Sequence, residues 1–187
     1  VMQYCQLKGV KGVDIGDIYI GNGVSELITM SMQGLLNDGD EILVPSPDYP
    51  LWTASVTLAG GKAVHYICDE QNEWNPDIDD IKKKITPNTK GIVIINPNNP
   101  TGAIMTRKDL EKIADVLRDT DIMILSDEIY SELTYGRKHC SIAQIDGMRE
   151  RTIMINGFSK AFAMTGWRLG YVCAPQPIAK QIVKLHQ

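Results

Sequence analysis

The sequence holds little of what would tie it to metals, disulfide frameworks or membranes. Of 187 residues, three are histidine and four are cysteine. His65, His139 and His186 cluster with nothing in the chain, and Cys5, Cys68, Cys140 and Cys173 form no C-x-x-C pair and match no zinc spacing. That pattern argues against a metal site, and a reducing, cytoplasmic setting is expected for the thiols. No apolar run approaches the length of a membrane span, so no membrane partner is expected. The formal net charge is −4, and the only like-charge run is Lys82-Lys83-Lys84, which reads as a solvated helix end. A mildly acidic chain without a basic stripe argues against a nucleic-acid surface and leaves small-molecule chemistry open.

What is present is an alternation of short apolar runs and amphipathic stretches. Strands are expected at 18–21 (IYIG), 41–45 (EILVP), 62–68 (KAVHYIC), 90–97 (KGIVIINP), 122–130 (IMILSDEIY), 152–158 (TIMINGF) and 166–174 (GWRLGYVCA). Helices are expected at 23–36, stopped by Asn37-Asp38-Gly39, at 49–61, closed by glycines, at 75–85, and at 106–120, opened by Thr106 with Asp109 three residues on. A further helix starts at Pro177. The first ten residues read as the middle of a helix without a cap, and the last helix has no visible stop. A piece of a longer polypeptide is therefore expected. Strands alternating with helices predict a three-layer αβα domain with a mostly parallel, mixed sheet. The runs GIVII and IMIL are apolar at every position, as in strands buried on both faces.

In such sheets ligands bind beyond the carboxyl ends of the strands, so the residues after each apolar run matter most. After the first strand comes GNGVSE, a glycine-bearing turn into a helix whose amides would face an anion. An ordinary turn explains it equally well. After GIVII comes NPNNPTG, a constrained loop that would hold the amide of Asn96 or Asn99 in a fixed direction. After IMIL comes SDEIY. A carboxylate at Asp127, on a central strand, needs a partner: a cap, an ion pair, or a cationic group on a ligand. Tyr130 could bring its hydroxyl to the same place, or simply pack. After TIMIN comes GFSKAFAMTGWRLG, in which Lys160 sits in a segment that reads as buried and Arg168 follows eight residues later. An amine, a carboxylate, an amide, a phenol and an anion-binding turn thus fall on one edge of one predicted sheet.

A lysine in a desolvated pocket becomes a nucleophile toward carbonyls. Pyridoxal 5'-phosphate combines an aldehyde, a ring nitrogen, a ring oxygen and a phosphate, and its sites need that lysine and an acid partner for the ring nitrogen. Asn and Tyr side chains suit the ring oxygen. A helix N-terminus and an arginine suit the phosphate, because a guanidinium can meet it bidentately; an ion pair within the protein would equally occupy Arg168.

The motifs NPNNPTG, SDEIY and SKAFAMTGWRLGY, in this order and at these separations, resemble the fold-type I, class I and II aminotransferases that use pyridoxal phosphate. The resemblance covers essentially the whole chain. IYIGNGVSEL, VPSPDYPLWTA and GKAVHY look most like bacterial alanine (glutamate–pyruvate) transaminases, whereas the lysine segment looks more like the aspartate and aromatic group. The resemblance implies that Lys160 attaches to the cofactor aldehyde and later moves the substrate proton. It matches Asp127 to the ring-nitrogen partner, Asn99 and Tyr130 to the ring-oxygen donors, and Tyr49 to the ring that stacks on the pyridine, unless Tyr49 is only a core aromatic at a helix start. Val24 and Ser25 match the phosphate-binding amides and Arg168 the phosphate arginine. Cis bonds are expected before Pro47 and Pro100. Many relatives carry a phosphate-contacting serine where this chain has Gly157, and Ser159 could replace it.

By the same resemblance, residues 1–187 are a large cofactor-binding domain. The small domain with its substrate-carboxylate arginine, the N-terminal segment that helps close the site, and the stretch giving a tyrosine to a neighbouring subunit's phosphate do not match any part of the chain. The implied reaction moves an amino group between an amino acid and a 2-oxo acid, with alanine and 2-oxoglutarate expected, in a homodimer when full-length. A carbon–sulfur β-lyase on the same scaffold and a non-catalytic sensor domain are the alternatives. A nicotinamide site fits poorly, since GNGVSE lacks the third glycine of G-x-G-x-x-G.

Overall fold

The computed structural model describes residues 1–187. Six helices are α1 (Met2–Leu7), α2 (Val24–Leu35), α3 (Leu51–Leu58), α4 (Ile78–Lys84), α5 (Arg107–Leu117) and α6 (Gln176–His186). The strands are β1 (Ile18–Gly21), β2 (Glu41–Ser46), β3 (Lys62–Asp69), β4 (Asn75–Pro76), β5 (Thr89–Ile95), β6 (Met123–Asp127), β7 (Thr152–Gly157) and β8 (Gly170–Cys173). They form one sheet in the order β1-β8-β7-β6-β5-β2-β3-β4. β3, β2, β5, β6 and β7 run parallel, whereas β8 is antiparallel to both of its neighbours, so β1 runs with the parallel set. The carboxyl ends of β1, β2, β5, β6 and β7 therefore share one edge with the start of β8.

Strand alternation sorts the core into two faces. Val93 and Ile95 of β5, Leu125 of β6, Ile153 and Ile155 of β7 and Val172 of β8 pack under α2, α3 and α6, against Leu27, Trp52, Val56 and Ile182. Their neighbours Ile92, Ile94 and Ile124 pack on the other face against Ile81 of α4 and Leu110, Ile113 and Leu117 of α5. Farther along that face, Met154 of β7 and Tyr171 and Cys173 of β8 meet Cys5 of α1. Helices cover both faces, as the apolar runs require. The Thr106–Asp109 pair forms a reciprocal capping box on α5, and Asp77 caps α4 by accepting from the amides of Asp79 and Asp80.

Several expectations are corrected. The stretch 122–130 is strand only to Asp127, because Glu128–Tyr130 turn away at the sheet edge. In 166–174 only Gly170–Cys173 is strand: residues 165–167 form a 3-10 turn and Arg168 adopts a left-handed conformation with φ 51°. The helix expected at 49–61 begins at Leu51 and ends at Leu58, and Asn75–Pro76, expected to open a helix, pairs with the end of β3. The segment around Lys160 is not buried: Phe162 is 59% exposed and Trp167 71%. Their apolar character reflects a surface that this chain leaves open. Cis bonds precede Pro47 and Pro100 as expected, and Pro97 as well.

Close packing at the end of β8 brings α2 to the sheet edge. A Cβ on Gly170 would lie 2.8 Å from the Val24 nitrogen and 2.9 Å from the Gly23 carbonyl carbon. Gly170→Ala is expected to cost about 1–3 kcal/mol as an overpacked site. That corresponds to a thermal midpoint lower by roughly 3–10 °C in a chain of this size. An unchanged midpoint in a melting experiment would show that the first turn of α2 is free to move aside.

Candidate active site at the carboxyl edge of the sheet

Each group enters the site from the end of a strand. Val24 and Ser25 follow β1 at the start of α2, and Tyr49 follows β2. Asn99 lies in the loop after β5, Asp127 ends β6 and Tyr130 follows it. Ser159 and Lys160 follow β7, and Arg168 precedes β8. The structure brings every one of these residues to the wall of a single cavity of about 270 Å³, together with Ile129 and Thr165.

The loop after β5 resolves the choice between its asparagines. Asn96 is spent on structure: its amide donates to the Cys140 carbonyl at 3.1 Å and its oxygen accepts from the Met105 amide at 3.0 Å. The Asn98 side-chain oxygen accepts from the amide and the hydroxyl of Thr101. Asn99, which lines the cavity, has no side-chain hydrogen bond within the chain.

One end of the cavity suits an anion. The N-cap of α2 is Gly23, at φ 86°, which supplies no side-chain cap, so the first amides of the helix have no intrahelical acceptor. A Cβ at Gly23 would lie 2.6 Å from Nη2 of Arg168, so the guanidinium rests directly against this glycine. Arg168 enters no salt bridge; its Nη1 donates to the Thr165 carbonyl at 3.2 Å. The ion pair that would have explained this arginine as structural is absent. The serine that many relatives place at position 157 would be tight here: a Cβ on Gly157 would lie 3.0 Å from the Leu169 carbonyl oxygen, so the neighbouring backbone would have to give by a few tenths of an ångström. Ser159 and Thr165 are the hydroxyl-bearing residues of this segment that line the cavity.

The other end suits a cation. Asp127 is 3% exposed. Its Oδ2 accepts from the indole Nε1 of Trp52 at 3.1 Å and its Oδ1 from the Ile129 amide at 3.2 Å. No lysine or arginine pairs with it. Glu128, the next residue, faces the opposite side of the sheet, where Ser126 and Ser141 donate to its Oε1 and His139 lies 3.9 Å from Oε2. Two adjacent carboxylates thus have opposite fates, and only Asp127 faces the cavity that Lys160 lines. Lys160 lines that cavity, is exposed, and forms no salt bridge.

Sequence reasoning missed Trp52, Ile129 and Thr165. Thr165 had no signal. Ile129 sits inside the SDEIY motif but reads as packing. Trp52 has a weak one, since a buried indole N–H needs an acceptor.

These groups fit pyridoxal phosphate on chemistry. An amine and a buried, unpaired carboxylate line one cavity, together with the uncapped amides of a helix start and a guanidinium that enters no salt bridge. Burial pushes the Asp127 carboxyl up from 3.8 to about 6, with Glu128 adding to the rise, while the Ile129 amide and the Trp52 indole oppose it. The sign for stability follows. Between about pH 4 and 6 the folded, ligand-free chain holds a proton that the unfolded chain has lost, so this group makes stability fall as pH rises through that window. Above it the full cost is about 3 kcal/mol. A carboxyl-carbon NMR titration of the ligand-free chain should place the Asp127 midpoint near 6; a midpoint near 4 would contradict a dry, unpaired carboxylate.

Comparisons with known proteins agree with this geometry. Residues 3–187 match the family described as aminotransferase class I and II. The chain is 54% identical over 178 residues to the glutamate-pyruvate aminotransferase AlaA of Haemophilus influenzae, covering 95% of this chain and 44% of that protein. It is 48% identical to the alanine aminotransferase of Mycobacterium tuberculosis, covering 95% of this chain and 41% of that one. A solved aminotransferase from Escherichia coli superposes with a TM-score of 0.92 at 49% identity, covering 98% of this chain and 47% of that one. The aromatic aminotransferase of Pyrococcus horikoshii gives 0.95 at 41%, covering 98% and 50%. The chain thus spans less than half the length of the curated relatives named here. With this match over residues 3–187 and relatives at about half identity, the chain belongs to the class I and II aminotransferase family.

Proposed function

We propose that residues 1–187 are the cofactor-binding large domain of a pyridoxal-phosphate-dependent aminotransferase that moves an amino group between an amino acid and a 2-oxo acid. The observation that carries this reading is the convergence of Lys160, Asp127, Asn99, Tyr130, Tyr49 and the anion-binding end of α2 on one cavity. When bound, the cofactor supplies an aldehyde and a ring that accepts electrons. Lys160 is the amine that bonds to that aldehyde. It would also be the base that moves the proton between the substrate carbon and the cofactor's aldehyde carbon. Asp127 holds the proton on the ring nitrogen, and the cationic ring in turn favours the ionised carboxylate against the cost of burial. Asn99 and Tyr130 donate to the ring oxygen, and Tyr49 covers a ring face. The amides of Val24 and Ser25, the Ser159 hydroxyl and the Arg168 guanidinium hold the phosphate.

The relatives named glutamate-pyruvate and alanine aminotransferase support alanine and 2-oxoglutarate as the substrates. Lys160 and Arg168, the cations at this cavity, both have roles toward the cofactor, so the substrate carboxylate needs a further cation. The 187-residue chain is therefore expected to bind cofactor with little or no turnover. The full-length protein is proposed to be a cytoplasmic homodimer. No helix is long and apolar enough to cross a membrane.

Incubation with pyridoxal phosphate, borohydride reduction and peptide mass spectrometry should find one pyridoxyl group, on Lys160. Lys160→Ala should keep the fold and lose the adduct; labelling spread over surface lysines would overturn the assignment. Arg168→Gln removes a charged hydrogen bond worth about 1.5–3 kcal/mol, so pyridoxal phosphate should bind about ten- to hundredfold more weakly. Affinity for pyridoxal, which lacks the phosphate, should hardly change. An equal loss for both ligands would place Arg168 elsewhere than at the phosphate.

A further inference from the structure

Trp52 lies in α3, three residues after Tyr49, and is fully buried. Its neighbours in the core are apolar, among them Leu27, Val44 and Val56. The indole has one polar atom, a donor with no acceptor capacity. In this core that donor has a single partner, Oδ2 of Asp127, at 3.1 Å across 75 positions of sequence. The contact is possible because Asp127 lies two residues beyond Leu125, on the face of the sheet that α3 covers. The Ile129 amide takes the other oxygen. Each carboxylate oxygen thus spends one acceptor site on a neutral, non-titrating donor and keeps another for the cavity. Neither donor can exchange a proton with the carboxylate, unlike a histidine or a lysine in the same place.

We propose that Trp52 is a positioning residue for the ring nitrogen of the cofactor: its indole N–H holds Asp127 in the direction and the ionised form that the ring requires. The assignment rests on the cofactor reading above. The other titratable and charged groups around Asp127 are Glu128 beside it, whose charge disfavours ionisation, and Tyr49, Tyr130, Lys160 and Arg168 across the cavity. Trp52 is the contribution of α3. Phenylalanine keeps an aromatic ring in this buried position but is smaller and lacks the N–H, so it removes one hydrogen bond to a charged acceptor along with part of the packing.

Trp52→Phe in the 187-residue chain tests this. A hydrogen bond to a charged group is worth about 1.5 kcal/mol or more, so the Asp127 midpoint in the carboxyl-carbon titration should rise by about one pH unit. Affinity for pyridoxal phosphate and for pyridoxal should fall together, by about tenfold each, because the loss is at the ring and not at the phosphate. A folded Trp52→Phe whose Asp127 midpoint and affinities stay within twofold of wild type overturns the assignment. Should the variant not fold, the wild type decides. The Trp52 indole N–H resonance must move with the same midpoint as the Asp127 carboxyl, and an indole resonance flat through that pH range overturns the proposal. A wild type that binds no pyridoxal phosphate would sink the cofactor reading, and the ring-directed role with it. Equal binding by wild type and Trp52→Phe would sink the Trp52 role alone.

Discussion

A carboxylate at the dry end of a central strand is the constraint from which the rest of the site can be derived. Asp127 is buried, and its only hydrogen bonds are to two neutral donors. Such a group is costly to keep ionised, and a fold that needed only stability would replace it or pair it. Glu128, one residue on, shows what pairing looks like here: two serine hydroxyls and a nearby histidine satisfy it on the opposite face. The contrast is set by strand alternation alone. Asp127 is therefore suited to the proposed role of half an ion pair with a cation supplied by a ligand. A protonated ring nitrogen is such a cation, and it requires the rest of the ring's partners to stand where Asn99, Tyr130 and Lys160 do.

Those partners are placed by the sheet rather than by their own neighbours. Parallel strands deliver their carboxyl ends to one edge, and β1 joins that edge because two antiparallel steps through β8 restore its direction. The loops add precision by spending polar groups on themselves. Asn96 and Asn98 tie down the turn after β5, so that Asn99 can point its amide at the cavity with nothing inside the chain competing for it. The indole of Trp52 does the same for Asp127 from the helical layer.

The layer architecture and the site were legible to the extent that each rested on local pattern. Runs such as GIVII and IMIL announce doubly covered strands, and the motifs after them carry the residues that meet in the cavity. Local pattern failed where apolar residues serve a surface. GWRLGYVCA reads as one strand, yet Trp167 is exposed and Arg168 is left-handed, so the strand begins only at Gly170. The same habit makes the Lys160 segment read as buried when Phe162 and Trp167 lie open. Trp52 was only faintly legible for a different reason: its partner is 75 residues away, and an aromatic in an apolar helix is ordinarily packing. Asn75–Pro76 failed because a two-residue strand has no periodicity to detect.

The phosphate end is built largely from missing side chains. Gly23 has the left-handed φ that lets α2 start without a side-chain cap over its first amides, and its bare Cα gives Arg168 a place to lie. Gly170 lets that turn rest on the first residue of β8, and Gly157 lets β7 close against Leu169 and Gly170. A side chain at any of the three would push the helix end, the guanidinium or the strand away from the others. A serine at position 157 would have to ease the contact between β7, β8 and α2, whereas glycine leaves it close and lacks the hydroxyl donor. Helix amides and a guanidinium are stronger anion partners than a neutral hydroxyl. Ser159 still presents one to the same cavity. The packing thus leaves the helix end and Arg168 open for the proposed phosphate, and Lys160 free for the proposed aldehyde.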